Sequence, residues 1–185
     1  MLKLDDKVCP IVLAHPGFSG LVQPDSLNGR GAKWDYSGLN LRGARLCGLN
    51  LNGVNLSRAI LSDADLRDVS LIGANLTDAD LSSTMLHRAD LSHSICCGAS
   101  FIGSSLAESR LDYGMFRGAS FSRACLLKAS LRFSDLSDVD FEDADVKGAV
   151  LRNTITDSLD MFERSGSIFI EAIPGGFSAR VRCLF

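Results

Sequence analysis

The sequence predicts an all-β fold, a β-solenoid that winds through most of the chain. From Tyr36 to Leu151 an apolar residue recurs at every fifth position, and of these 24 positions seventeen are Leu and four are Phe. A second column, two residues earlier, runs from Trp34 to Ala149 and consists mainly of Ala. Neither column contains a charged residue, whereas the three positions between them are polar or glycine-rich. Such an internal repeat indicates an array of identical structural units.

A period of five residues fits neither a helix nor a straight strand. On a helix, five residues advance by about 500°, so the apolar side chains would not form a stripe. On a straight strand, residues five apart point to opposite faces of the sheet. Both columns share one interior only if the backbone turns a corner once per repeat. Glycine at nine of the 24 positions two after the large residue favours such corners, because it tolerates the positive φ of many tight turns.

Two tandem segments, Ala-Asn-Leu-Thr-Asp (74–78) and Ala-Asp-Leu-Ser-Ser (79–83), resemble the repeats of the pentapeptide-repeat proteins. The resemblance extends over about two thirds of the chain. It implies a right-handed, quadrilateral β-helix with four repeats, or 20 residues, in each coil. The fold expected from it is a rod of about six coils at the strand spacing of the solenoid.

Aromatic residues give independent support for a 20-residue coil. Two sets of three fall 20 residues apart: Phe101, Phe121 and Phe141 in the large inward column, and His93, Tyr113 and Phe133 at outward positions. Residues in successive coils are separated by about 4.8 Å, the spacing of neighbouring strands. Each set is therefore expected to stack as a ladder along the rod.

The chain divides into three predicted segments: residues 1–33 as an N-terminal cap, 34–155 as the repeat rod, and 156–185 as a C-terminal cap. The apolar run over 8–14 is too short for a signal peptide or a membrane span, and it suits a short strand over the first coil. The last segment is expected to form a short helix over 157–164 and a hairpin of strands within 168–185. An alternative is that the terminal segments form a homodimer interface, because the open end of a solenoid exposes edge strands.

Charge and cysteine content exclude several classes of function. With 19 basic and 22 acidic residues, the formal charge of −3 is too balanced for a nucleic-acid groove or a polybasic membrane anchor. No two of the six cysteines lie 20 apart, so none are expected to pair across coils, and no spacing indicates a metal site. We expect free thiols, a reducing cytoplasmic location, and no cofactor.

No catalytic constellation is evident in the repeat. His87 and His93 occupy outward positions without a Ser or Cys nucleophile and an orienting group at solenoid spacing. The many Asp residues that precede the large position are expected to be solvated or to bind nearby backbone amides in the turns. The chain is therefore predicted not to be an enzyme.

Two outward features are candidate partner contacts. The first is an apolar surface that combines an aromatic ladder with a neighbouring side: His93, Tyr113, Phe133, Ile95 and Met115. Exposed apolar clusters of this kind mark protein interfaces when no other segment covers them. The second is an acidic run near the end of the repeat: Asp138, Asp140, Glu142 and Asp143.

These features lead to one preferred function and two alternatives. The preferred function is a non-enzymatic scaffold that binds another protein through its outward columns. The resemblance implies the first alternative, since some pentapeptide-repeat proteins imitate DNA and bind type II topoisomerases such as gyrase, protecting them from inhibitors; here the acidic run would be the contact. The second is a secreted bacterial effector that binds host proteins, because residues 22–27 followed by 39–43 resemble the entry to the repeat in such effectors.

Overall fold

The computed structural model describes residues 34–156 and 168–170. Over 34–156 the chain forms a four-sided β-helix, in which parallel β-bridges join residues 20 apart, from Asp35 with Asn55 to Asp135 with Ile155. The bridges fall into four series, one on each side. The predicted β-solenoid and its 20-residue coil are therefore confirmed.

The four sides are numbered here in chain order. Side 1 begins with residues 34–38, side 2 with 39–43, side 3 with 44–48 and side 4 with 49–53, and each recurs every 20 residues. Within a side, the first and third residues point inward and the second and fourth point outward. The fifth residue forms the corner to the next side.

Every corner has the same backbone conformation. The fifth residue of the side has a positive φ, between 55° and 69°, at all 24 positions from 38 to 153. The N–H of the next residue donates to the carbonyl of the large residue, as from Leu39 to Tyr36 at 3.2 Å. A positive φ at the third residue of a hydrogen-bonded turn is the pattern of a type II turn. Fifteen of the 24 corners are not glycine, so the predicted corners are present but glycine marks only some of them.

Asp and Asn side chains reinforce the turns. At eleven positions before the large residue, an Asx side chain accepts the N–H two residues ahead. In Asp90, for example, Oδ1 accepts the N–H of Ser92 at 2.9 Å. These bonds satisfy backbone donors that have no carbonyl of the neighbouring coil within reach. The prediction that these carboxylates bind turn amides is confirmed.

The two inward columns form one continuous core. All 24 large residues, from Tyr36 to Leu151, are at most 2% exposed. Hydroxyls in the small column remain paired, because Ser104 and Ser109 donate to the carbonyls of Phe101 and Leu106 at 2.7 and 2.6 Å. Burial of a polar group without such a bond would cost about 1–3 kcal/mol.

An internal aromatic ladder runs through the second half of the core. The ring centroids of Phe101 and Phe121 are 4.6 Å apart, and those of Phe121 and Phe141 are 5.5 Å apart. Phe116 meets this stack at a tilt of about 58–59°. The predicted stacking of the inward phenylalanines is confirmed.

The ends of the rod differ from its middle. In the first coil the small column holds Trp34, Leu39 and Leu49, which pack against the core where later coils have smaller residues such as Ala, Ser and Val. At the other end, strand β1 (Val150–Arg152) pairs in parallel with strand β2 (Ile168–Ile170). The predicted N-terminal cap over 1–33, the helix over 157–164 and the rest of the predicted hairpin lie outside the described residues. The division into three segments stays a prediction.

Cysteines within the described part are unpaired: Cys47, Cys96, Cys97 and Cys125. Burial raises the pKa of the Cys96 thiol to about 12, since the thiolate would lie in the apolar core.

We expect iodoacetamide at pH 8 to alkylate exposed Cys47 at least a hundredfold faster than Cys96, because the thiolate is the reactive form. Peptide mass spectrometry measures both rates. Equal rates would contradict the buried position of Cys96.

Adjacent leucines offer a direct test of the register. Leu126 is fully buried in the large column, whereas Leu127 follows it at an outward position. Leu126→Asp should destabilise the rod by about 3–5 kcal/mol, because it buries an unpaired carboxylate. Leu127→Asp is the matched control and should leave the denaturant midpoint nearly unchanged. Equal losses, measured by urea unfolding, would show that the register is wrong.

A glycine in the small column makes room for Phe116. A Cβ built on Gly114 would lie 2.3 Å from Cε2 of Phe116 and 3.0 Å from the carbonyl oxygen of Leu111. Gly114→Ala should therefore cost about 1–3 kcal/mol of stability. Adding Phe116→Leu, which restores the usual Ala and Leu pair of the repeat, should recover part of that loss. A double variant as unstable as the sum of the singles would mean that the two residues do not share this space.

Candidate functional site

The outward aromatic ladder consists of His93, Tyr113 and Phe133 at the corner between sides 4 and 1. The ring centroids of His93 and Tyr113 are 4.9 Å apart, and those of Tyr113 and Phe133 are 4.8 Å apart. The planes are parallel to within 6°. The predicted stacking is confirmed, and the rings remain accessible, since Tyr113 is 50% and Phe133 42% exposed.

The aromatic ladder occupies backbone positions that disfavour bulky side chains. Its three residues have φ values of 59°, 59° and 57°, in the left-handed region. This conformation costs a side chain with a Cβ roughly 1–2 kcal/mol, and Gly or Asn adopts it more readily. Gly73 and Asn153 fill the same corner one coil to either side. The rings stack favourably by about 0.5–1.5 kcal/mol per pair, so stability alone gives them little net advantage.

Two further apolar side chains lie close to the aromatic ladder. Ile95 and Met115 occupy the second position of side 1, are bridged to each other across successive coils, and are 39% and 49% exposed. They follow His93 and Tyr113 by two residues, which places the Cα atoms of each pair within about 7 Å. The structure thus brings all five residues of the predicted apolar surface together around one edge of the rod.

The acidic run lies within a single coil. Asp138 forms the corner between sides 1 and 2, Asp140 and Glu142 lie on side 2, and Asp143 forms the next corner. Their levels along the rod therefore differ by no more than about one coil, or 4.8 Å. The run extends around the rod and not along it.

Internal bonds engage part of the acidic run. Asp138 pairs with Arg117 of the preceding coil, with Nε 3.4 Å from Oδ2. In Asp140, Oδ1 accepts the N–H of Glu142 at 2.9 Å and Oδ2 accepts the hydroxyl of Ser120 at 3.3 Å. The coil below, residues 114–133, carries four basic residues and no acidic one. The negative charge is thus opposed by the neighbouring coil.

Opposite charges stack throughout the described part of the rod. Residues 20 apart occupy equivalent positions in successive coils, and eight such pairs join an acidic to a basic residue: Arg45 with Asp65, Arg58 with Asp78, Asp68 with Arg88, Arg88 with Glu108, Asp90 with Arg110, Glu108 with Lys128, Asp112 with Arg132, and Arg123 with Asp143. No two acidic residues of this part lie 20 apart. These opposite charges 20 residues apart are visible in the sequence, but the apolar columns alone do not reveal them.

One corner shows the effect of this stacking on ionisation. Arg88 binds Asp68 with two hydrogen bonds, of 2.7 and 2.9 Å, and these bonds hold the pKa of the Asp68 carboxyl below its usual value. The pKa of Asp65 is lowered in the same way by its hydrogen bonds with Arg67. These exposed pairs belong to the rod's surface and contribute little stability each.

Arrangements for catalysis or metal binding are not found among the described residues. Ser92 precedes His93, but its Oγ is buried without a hydrogen-bond partner, so the imidazole does not activate it. No group of three or more metal-ligating side chains occurs in this part of the chain. An open groove of about 440 Å³ on side 1 is lined by Gly38 and polar side chains such as Ser57 and Thr77. Within the same residues, no helix is long and apolar enough to cross a membrane.

Solved structures of low similarity share the repeat. HetL of the cyanobacterium Nostoc sp. strain PCC 7120, described as involved in the regulation of heterocyst differentiation, is 26% identical over 66% of this chain, with a TM-score of 0.38. The chain spans 62% of HetL. Alr5209, from the same cyanobacterium, is 23% identical over 75% of this chain and 86% of its own, with a TM-score of 0.38.

QnrB1, described as a plasmid-mediated fluoroquinolone resistance protein, is also similar. It is 19% identical over 74% of this chain and 91% of its own, with a TM-score of 0.35. All three TM-scores are below 0.5, so these similarities do not indicate a role for the chain. No protein with a curated description matches the sequence.

The family model for pentapeptide repeats matches the chain directly. Eight copies fall within residues 35–63, 59–95, 86–123 and 115–153, which together cover more than half of the 185 residues. Proteins of this family fold as right-handed, quasi-quadrilateral β-helices, in agreement with the four series of bridges and the 20-residue coil. The chain belongs to the pentapeptide-repeat family.

Proposed function

We propose that the protein is a non-enzymatic interaction scaffold of about six coils, which binds a partner protein through the aromatic ladder, Ile95 and Met115. The observation that carries the proposal is the exposed stack of three rings at positive φ. These rings lie outside the core, so burial there does not stabilise them. Their positive φ is also unfavourable for bulky side chains. Aromatic residues are enriched at the energetic centres of protein interfaces.

The shape of the surface supports this use. Three parallel rings at a spacing of 4.8–4.9 Å are fixed in place by the coils that carry them. Little side-chain entropy remains to be lost when such rings are covered, so more of the contact energy appears as affinity. Membership of a family of repeat scaffolds agrees with a role in binding.

The DNA-mimic alternative receives less support from the charge distribution. DNA presents one phosphate charge per about 1.7 Å of axis, so a mimic requires negative charge repeated along its length. Here Asp138, Asp140, Glu142 and Asp143 lie in one coil, and the coil below is basic. No acidic column continues along the described rod from one coil to the next. A cytoplasmic scaffold and a secreted effector both remain proposals, and the same apolar surface would serve either of them in binding a partner protein.

The test removes the rings without straining the corner. Tyr113→Asn with Phe133→Asn keeps a residue that tolerates positive φ, as Asn153 does in the next coil. The variant should keep its melting temperature within a few degrees and lose its partner. Affinity capture from the source cells, with quantitative mass spectrometry, compares the proteins retained by parent and variant.

Arg123→Asn with Lys128→Asn is the matched control, because it changes two corners away from the aromatic ladder. Proteins retained by the parent and this control but lost from the aromatic variant support the proposal. Identical sets from all three baits would exclude the aromatic ladder as the binding surface. If the aromatic variant melts early yet retains every partner and any homodimer, the stack serves stability instead.

A further inference from the structure

One pair of like charges departs from the stacking rule of the rod. Arg132 and Arg152 lie 20 residues apart at the fourth position of side 4. The N–H of Phe133 donates to the carbonyl of Arg152 at 2.8 Å, which confirms that these coils are direct neighbours here. Against eight stacks of opposite charge, this is the one stack of like charge in residues 34–156. Like charges directly opposite each other in a sheet are destabilising.

Among the described residues, neither arginine of this pair forms an ion pair. Neither guanidinium has an acidic group within 4.0 Å there, although six other arginines do. Asp112 lies directly below Arg132, but it is only 9% exposed. Its Oδ1 accepts the hydroxyl of Ser130 at 2.5 Å and the backbone N–H of Arg132 at 2.9 Å. Both arginine side chains are exposed.

The arginine pair adjoins the aromatic ladder. Arg132 immediately precedes Phe133, and Arg152 immediately precedes Asn153, which occupies the next corner beyond the three rings. Two features that each cost stability therefore share one edge of the rod: bulky rings at positive φ, and stacked cations that form no ion pair with the carboxylates of residues 34–156. Features that reduce stability locally are concentrated at functional sites.

We infer that Arg132 and Arg152 extend the aromatic ladder into a docking site for a protein segment that combines carboxylates with aromatic or apolar side chains. This inference rests on the proposed function and adds the chemistry of the partner. Guanidinium groups bind carboxylates with paired, charge-assisted hydrogen bonds, and the rings accept the apolar side chains. Binding would also relieve the repulsion between the two arginines.

An acidic protein segment fits this edge better than a nucleic acid does. The described rod carries 15 acidic and 12 basic residues, and six of the acidic ones lie in the same coil as Arg152. A long polyanion that follows the rod would meet that coil, whereas a short segment with one or two carboxylates can reach the arginines from side 4. Two adjacent cations suit such a local charge.

The experiment presents the full chain with a random dodecapeptide library on phage. Peptides enriched by the parent should contain Asp or Glu together with Phe, Tyr or Trp, at least threefold above the input library. Arg132→Ser with Arg152→Ser should return the acidic residues to input frequency while the aromatic enrichment persists. The melting temperature of this variant should stay within a few degrees of that of the parent, because it removes both the like-charge stack and the opposite-charge stack of Asp112 with Arg132.

Arg117→Ser with Arg123→Ser is the matched control, since it removes two charges from the coil of Arg132 but on other sides. It should keep the acidic enrichment. Acidic enrichment that survives loss of Arg132 and Arg152, or that falls equally in the control, would overturn the inference. Enrichment of aromatic peptides without acidic residues would overturn it while leaving the proposed function intact.

Two further outcomes separate the alternatives. If the parent and its Tyr113→Asn and Phe133→Asn variant enrich the same peptides, or if neither enriches any, the proposed function itself fails. A 20-nucleotide poly-dT probe is titrated in parallel by fluorescence anisotropy. If it binds the parent in a way that depends on Arg132 and Arg152, and more tightly than the selected peptides, the site accepts nucleic acid and the inference is wrong.

Discussion

Register between successive coils is the constraint on which the rest of the structure depends. Each residue of the rod lies about 4.8 Å from the residue 20 positions earlier, so every side chain has a neighbour that the sequence assigns to it. Inside, this converts a column of Leu and Phe into a continuous core. The same register stacks Phe101 on Phe121, with ring centroids 4.6 Å apart.

On the outside, the same register makes each column a one-dimensional pattern of compatible or incompatible neighbours. Asp68 below Arg88 is a compatible pair and forms two hydrogen bonds. Eight such opposite-charge stacks indicate that repulsion between equivalent positions is generally avoided. Arg132 below Arg152 is the incompatible pair. It lies beside Phe133, so the two cations adjoin the aromatic ladder.

Most of the fold could be predicted from the sequence, because a period of five with two apolar columns admits few backbone geometries. The 20-residue coil was implied by the resemblance to pentapeptide-repeat proteins, and the spacing of the aromatic residues supported it and predicted the two aromatic stacks. The corner conformation of residues such as Tyr113 was harder to predict. All 24 corners have a positive φ, but only nine of them are glycine. A 20-residue coil also implied that the acidic run, from Asp138 to Asp143, extends around the rod and not along it. The caps depend on residues without a repeat, where no period constrains the chain.

A scaffold of this kind separates stability from recognition. The core is repeated in every coil, so a single corner contributes little to whether the rod folds, and corners are free to diverge. Along the rod, the corner between sides 4 and 1 changes from Gly53 and Gly73 to His93, Tyr113 and Phe133. At the corner between sides 3 and 4, by contrast, Asp68, Arg88, Glu108 and Lys128 alternate in charge, and the first two form an ion pair at 2.7 Å. An edge that combines bulky rings at positive φ with two stacked arginines, neither of which forms an ion pair among the described residues, adds little to the stability of the fold and so supports the proposed binding role.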